Sequence, residues 1–217
     1  MISNLVEKAT KKRISADRTK DLLQFYNFTQ KLPTLSQFLQ NQLGLPSGET
    51  AALLRHWQKP RSLRRGDFLT RKGQVEQHLY YILEGTVIIF YDIEENEQVV
   101  GFGYADTLIL SIPSFIRNRP SDYYIQAMGP TELLGISRTD FYRLLEQYPL
   151  LERTWRQMVE EALLGRIERE IDLLTVSPRE RIQRLLNRSP HIFQLIPNKY
   201  IASYLRMTPE TLSRNMR

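Results

Sequence analysis

The chain has 217 residues, 41% hydrophobic and 25% charged, which fits one large or two small water-facing globular domains. It has no run of eighteen apolar residues, no signal-peptide core in residues 1–20 and no cysteine, so a membrane partner, disulfides, iron–sulfur clusters and thiolate zinc sites are not expected, and a cytoplasmic setting is. The net charge of +6 divides into +4 on residues 1–20, −4 on 21–177 and +6 on 178–217, and the basic C-terminal segment suits a polyanion.

Residues 1–34 are polar, basic and weakly patterned, and read as an N-terminal extension with at most a short helix over 21–31. Leu35, Phe38, Leu39 and Leu43 fall at helical spacing. Gly44 and Pro46 break that helix, and it resumes over 51–57. From Arg61 short apolar runs alternate with turn residues: Phe68-Leu69, 79–83, 86–91, 99–104, 123–128 and 132–137. Strands of this length and spacing, rich in Ile, Val, Tyr and Phe, predict an antiparallel sandwich or barrel.

Residues 140–147 predict a short helix, punctuated by Pro149. A long helix follows over 150–174, roughly 35 Å at the standard rise. Its Trp155, Met158, Val159, Ala162, Leu163, Ile167, Ile171 and Leu174 form one broad stripe. A helix too long for one small sandwich to cover predicts pairing with a second copy; the alternative is a helix packed wholly on its own domain. Ser177 as N-cap and Pro178 at the first helical position then open a helix through 179–187.

The last twenty or so residues predict two short helices around a tight corner. The first runs over 197–205, with Ile201 and Leu205 inward and Ala202 small enough for close approach. Arg206-Met207-Thr208 makes the corner, and Thr208 caps a second helix that starts at Pro209. Leu212 and Met216 are expected inward, leaving Pro209, Glu210, Ser213, Arg214 and Arg217 outward. In a helix-turn-helix this end of the second helix enters the major groove. There Arg can take guanine O6 and N7, and Glu can accept from the cytosine amine. The alternative is an ordinary surface pair between Glu210 and Arg214, worth about 0.2–0.5 kcal/mol.

Taken together, Arg65-Gly66-Asp67, Lys72-Gly73, Leu79-Tyr80-Tyr81-Ile82-Leu83-Glu84-Gly85 and Glu210-Thr211-Leu212-Ser213-Arg214 resemble the Crp/Fnr family of bacterial regulators, and the run Tyr200-Ile201-Ala202-Ser203-Tyr204-Leu205 with Thr208-Pro209-Glu210-Thr211-Leu212-Ser213-Arg214 resembles its Bacteroidetes-type members. The resemblance covers roughly residues 35–217. It implies an α+β chain: a double-stranded β-helix (jelly-roll) sensor domain over 35–148, a long dimerisation helix over 149–175, and a helix-turn-helix DNA-binding domain over 176–217. It implies a transcription regulator acting as a homodimer on a pseudo-palindromic DNA operator, with RNA polymerase as a further partner. Thr208, Pro209, Glu210, Thr211, Ser213, Arg214 and Lys199 are the expected DNA-binding residues.

The sensor half departs from the family's cyclic-nucleotide binders. Their cassette reads Gly-Glu, a short apolar run and loop, then Arg-Ser/Thr-Ala, so that an Arg neutralises the cyclic phosphate. Here Ile109-Leu110 stands at the Gly-Glu position, and Pro120 or Ser121 at the Arg position, with Asp122 beside it. Cyclic AMP is therefore not the expected ligand. An unidentified small-molecule effector would lie near Leu110, Ser111, Ser121, Asp122 and Tyr123. His56, His78 and His191 are scattered, so no metal or other cofactor is expected. Cupin-type enzymes share the jelly roll but need a His-x-His pair that is missing, so no enzyme activity is expected. The remaining alternative is a small-molecule or cyclic-nucleotide sensor whose helical tail makes protein contacts.

Overall fold

The computed structural model describes residues 34–42, 44–93 and 96–216. The expectations for 1–33, Leu43, Glu94, Glu95 and Arg217 lie outside these residues. Among the described residues eight strands build two antiparallel four-stranded sheets: β1 (Lys59–Leu63), β8 (Thr131–Ser137), β3 (His78–Glu84) and β6 (Leu108–Ile109) in one, and β2 (Phe68–Thr70), β7 (Tyr124–Ala127), β4 (Thr86–Ile93) and β5 (Asn96–Tyr104) in the other. This is the expected sandwich. The inward set, Leu63, Leu69, Tyr80, Ile82, Val87, Ile109, Ile125, Ala127 and Leu133, follows the period of two along each strand. Gly85 makes the β3–β4 turn at φ +94°, and a Cβ there would collide with the Pro130 carbonyl and Thr131.

A second apolar core covers the outer face of the first sheet. Leu79, Tyr81, Leu134 and Ile136 meet Leu35, Phe38 and Leu39 of a helical stretch over 34–42, Leu53 of α1 (Ser47–Leu54), and Phe141 and Leu144 of α3 (Arg138–Gln147). Phe115 of α2 (Ile112–Arg117) and Leu151 of α4 (Pro149–Leu174) close it. Phe38, Leu53, Trp57, Phe141, Trp155 and Met158 help to line a predominantly apolar cavity of about 20 Å³ there. Among the described residues no helix is long and apolar enough to cross a membrane.

Several expectations are corrected. The N-terminal helix resumes at Ser47 and ends at Leu54 instead of spanning 51–57. Strand β1 was not foreseen because four of its five residues are exposed, so it has no apolar signature. Helix α2 was not foreseen either. The stripe on α4 is divided: Trp155 and Met158 pack into their own domain's core, while Val159, Leu163, Ile167, Ile171 and Leu174 remain exposed.

Past α4 the chain forms α5 (Pro178–Arg188), the unforeseen α6 (Ile192–Leu195), α7 (Asn198–Tyr204) and α8 (Pro209–Asn215). Ile182, Leu185, Ile192, Ile196, Ile201, Ala202, Leu205 and Leu212 make their common core. Met216, expected inward, is 44% exposed because the helix ends one residue before it.

Candidate nucleic-acid interface

The geometry of α7 and α8 follows from a few side chains. Ala202 is fully buried, which lets α8 approach α7 closely through Leu212. The chain turns at Arg206, whose φ of 53° is left-handed, and the amides of Arg206 and Met207 donate to the carbonyls of Ser203 and Ala202, both at 3.0 Å. Thr208 Oγ1 accepts from the Thr211 amide at 3.2 Å, and Pro209 follows at the first helical position.

This places Thr208, Pro209, Glu210, Ser213 and Arg214 on the exposed face of α8, with Thr211 half-buried beside Thr208. Glu210 is held below the ordinary carboxylate range by its own backbone amide, the Thr208 hydroxyl and the positive charge of Arg214. It stays ionised as an acceptor. Lys199, exposed on α7, lies with its ammonium 4.5 Å from the Tyr200 ring centroid. Glu210 and Arg214 lie on one face, as their spacing requires, and Lys199 sits apart from them on the other helix.

The helical unit is joined to the sandwich by contacts that the sequence did not signal. The β4–β5 register shifts between Ile89 and Phe90, leaving Val100 as the extra residue of a bulge. β5 is also the edge strand of its sheet, so its outward-facing backbone groups are open to partners. Ser203 Oγ accepts from the Val99 amide at 3.0 Å and donates to the Glu97 carbonyl at 3.0 Å, and the Gln98 side chain donates to the Ser203 carbonyl. From α4, Arg166 donates to the Val100 carbonyl at 2.7 Å, and Arg169 bridges the carbonyls of Val99 (3.3 Å) and Tyr204 (3.2 Å). Phe102 and Tyr204 pack ring against ring at 5.1 Å. The α4–α5 joint is locked by Asp172, fully buried, which accepts from Arg184 Nε at 2.8 Å and Arg188 Nη2 at 2.5 Å. Its signal in the sequence is one acid at the end of an amphipathic helix, with Arg184 and Arg188 twelve and sixteen residues on.

The residues expected around an effector fall into different environments. Ser111 and Ser121 are buried and hydrogen-bond each other at 2.8 Å; Ser121 also accepts from the Tyr123 amide at 3.0 Å. Leu110 belongs to the apolar core under α2 and α3, and Asp122 is exposed. The Tyr123 ring packs on Tyr91 at 4.3 Å. The space between the sheets is filled nearby: a Cβ on Gly103 would lie 2.8 Å from Ile82 Cδ1 and 2.9 Å from Val87 Cγ2. Among the described residues no group of three or more His, Cys, Asp or Glu could hold a metal ion.

Residues 60–148 match the family described as Cyclic nucleotide-binding domain. Curated relatives include the Cyclic nucleotide-gated channel cone photoreceptor subunit alpha of Gallus gallus, 27% identical over 137 residues, with 58% of this chain and 18% of the channel covered. Cyclic nucleotide-gated channel alpha-4 of Mus musculus is 23% identical over 109 residues, covering 49% and 19%. The chain spans about a fifth of the length of these relatives. Among solved structures, FixK2 from Bradyrhizobium japonicum superposes with a TM-score of 0.64 at 15% identity, covering 73% of this chain and 82% of that one. The c-di-GMP responsive global regulator CLP of Xanthomonas campestris gives 0.61 at 18% identity, covering 79% and 90%. Thermus thermophilus Catabolite Activator Protein gives 0.53 at 22% identity, covering 80% and 83%.

Proposed function

Because residues 60–148 form a cyclic nucleotide-binding domain and the chain takes the fold of the Crp/Fnr-type regulators, we propose that it is a DNA-binding transcription regulator that works as a homodimer. The observation that carries this reading is the α7–turn–α8 pair, whose capped second helix turns Glu210, Ser213 and Arg214 to solvent. A helix so presented fits the major groove, with Arg214 on guanine and Glu210 on cytosine. Lys199, Thr208, Pro209 and Thr211 serve the phosphates and the helix start. We take 35–148 as the sensor, 149–175 as the dimer helix and 176–217 as the DNA-binding unit, and RNA polymerase as a partner of the bound dimer.

Dimerisation is supported by the exposed part of the α4 stripe. Leu163 is 60% exposed, Ile167 45%, Ile171 41% and Leu174 75%, a row that a second parallel copy would bury. Cyclic AMP is not the effector in this reading. Ile109 and Leu110 are buried apolar residues where a ribose-holding Glu would stand, and the Ser111 and Ser121 hydroxyls are spent on each other. The protein is a binding module, not an enzyme. The test is Arg214→Ala on a selected operator: the variant should lose about 1–3 kcal/mol of binding and relax its preference at one base pair. A variant that binds and discriminates like the parent overturns the base-reading assignment.

A further inference from the structure

We infer that the groove between β1 and β2, the edge strands of the two sheets, is a binding site for a small phosphate monoester. None of the residues that line it belongs to α7, α8 or the 110–123 segment, so the site does not depend on the DNA reading or on the effector position considered above. The groove is open and holds about 450 Å³, within the range of about 300–1,000 Å³ that small-molecule sites occupy. Arg61 lines it from β1, and Arg71, the residue after β2, lines it from the other sheet. Both are exposed, and neither joins an ion pair among the described residues. The Arg71 guanidinium sits 3.8 Å from the Phe68 ring centroid, which holds it in place with less side-chain freedom left to lose on binding. Asp67 is the one acid in the lining, and its Oδ2 already accepts from the Arg64 amide at 2.8 Å.

The charge around the groove is concentrated. Residues 59–72 carry Lys59, Arg61, Arg64, Arg65, Arg71 and Lys72, all exposed, against Asp67 alone, within a stretch, 21–177, whose net charge is −4. Strand alternation explains why two of them crowd the opening. Leu63 points into the core between the sheets, so Arg61 and Lys59 lie on the same side of β1, and they continue past the core to its edge. His78 shares that side of the sheet with Tyr80, whose ring it meets at 5.6 Å. Burial, and then the charges of Lys59 and Arg61, hold the His78 imidazole below its ordinary range, as expected where positive charge gathers without an acid to offset it. Two guanidinium forks from opposite walls offer more donors than the two oxygens of a carboxylate can use, and they suit the three oxygens of a phosphate monoester. Pro60, Leu63 and Phe68 give the organic part an apolar surface.

The test titrates phenyl phosphate into the full chain at low salt, followed by calorimetry and by the arginine Nε–H resonances. One saturable site is expected, with the Arg61 and Arg71 resonances moving together. Affinity should fall about tenfold or more in Arg61→Ala and in Arg71→Ala, and by less in Arg71→Lys, which keeps the charge but loses the fork. Phenol, which lacks the phosphate, should not bind. Lys72→Ala, outside the lining, should change affinity by less than about twofold; a loss equal to that of the two arginine variants means diffuse attraction to a basic surface and overturns the site. Absence of saturable binding, or binding within twofold of the parent in both alanine variants, also overturns it. If phenyl phosphate does not bind while Arg61→Ala and Arg71→Ala weaken binding of a selected duplex, the groove takes backbone phosphates of nucleic acid and the small-molecule site is wrong.

Discussion

Removing one charge at Asp172 should loosen the C-terminal helical unit without touching the sandwich. Asp172 lies in the last turn of α4 with no exposed surface, and both its oxygens accept from guanidinium groups of α5, at 2.8 and 2.5 Å. Asp172→Asn keeps the volume but turns one acceptor into an amide that faces a cation. Breaking a buried ion pair costs about 3–5 kcal/mol. Arg184 and Arg188 are 33% and 26% exposed, and Glu168 stays 2.8 Å from Arg184, so water and a second acid compensate in part. About 2–3 kcal/mol is then the expected loss. Trp57 and Trp155, the two tryptophans, both sit in the core between the first sheet and its helices, so fluorescence follows the sandwich alone. In urea the tryptophan transition should stay in place. Native-state hydrogen exchange should accelerate about 30- to 150-fold at the Leu185 and Ile201 amides, which report the C-terminal core. Exchange within twofold of the parent at those amides would refute the claim that this carboxylate holds α5 to α4.

Three further outcomes follow from local geometry. Gly85→Ala should abolish or severely weaken folding, because its φ is +94° and the added carbon meets backbone, whereas Gly129→Ala, with open space around it, should shift the thermal midpoint by a degree or two at most. Arg206→Gly should raise stability by about 0.5–1 kcal/mol, because an arginine at φ 53° carries the left-handed penalty; a lower midpoint in thermal unfolding would contradict this. Burial lifts the Glu76 carboxyl above its ordinary range, despite hydrogen bonds from the Thr70 hydroxyl and the His78 amide. A raised folded-state value means that Glu76 contributes most below the unfolded pKa and that stability declines as pH rises through the folded one. Glu76→Gln removes that decline, so urea midpoints should move in the variant's favour as pH rises above the ordinary carboxylate range; parallel curves for parent and variant would contradict it.

Much of the fold was legible because local chemistry and tertiary contacts agree. Ser177-Pro178 and Thr208-Pro209 announce helix starts, and both hydroxyls accept the expected amides. The strands with alternating apolar residues were visible too. What escaped lacks a periodic signal. Strand β1 is an edge strand with one buried residue, and α2 is too short for a helical repeat. Spacing placed Trp155 and Val159 on one stripe, but it does not say which neighbour covers each part; the rings of Phe141 and Trp155, 4.9 Å apart, settle the first turns of α4. At the candidate interface, helical period alone placed Glu210 and Arg214 outward. The junction through Ser203, Arg166 and Arg169 was invisible, because its partners are backbone carbonyls and amides of an edge strand. No side-chain pattern encodes such a site.

Selection of bound duplexes from a random library, with the purified full chain at moderate salt, tests the central reading most directly. The account predicts enrichment of two-fold symmetric sequences with half-sites about one helical turn apart, bound with an affinity that falls steeply as salt rises. Recovery of a random pool after several rounds would contradict it.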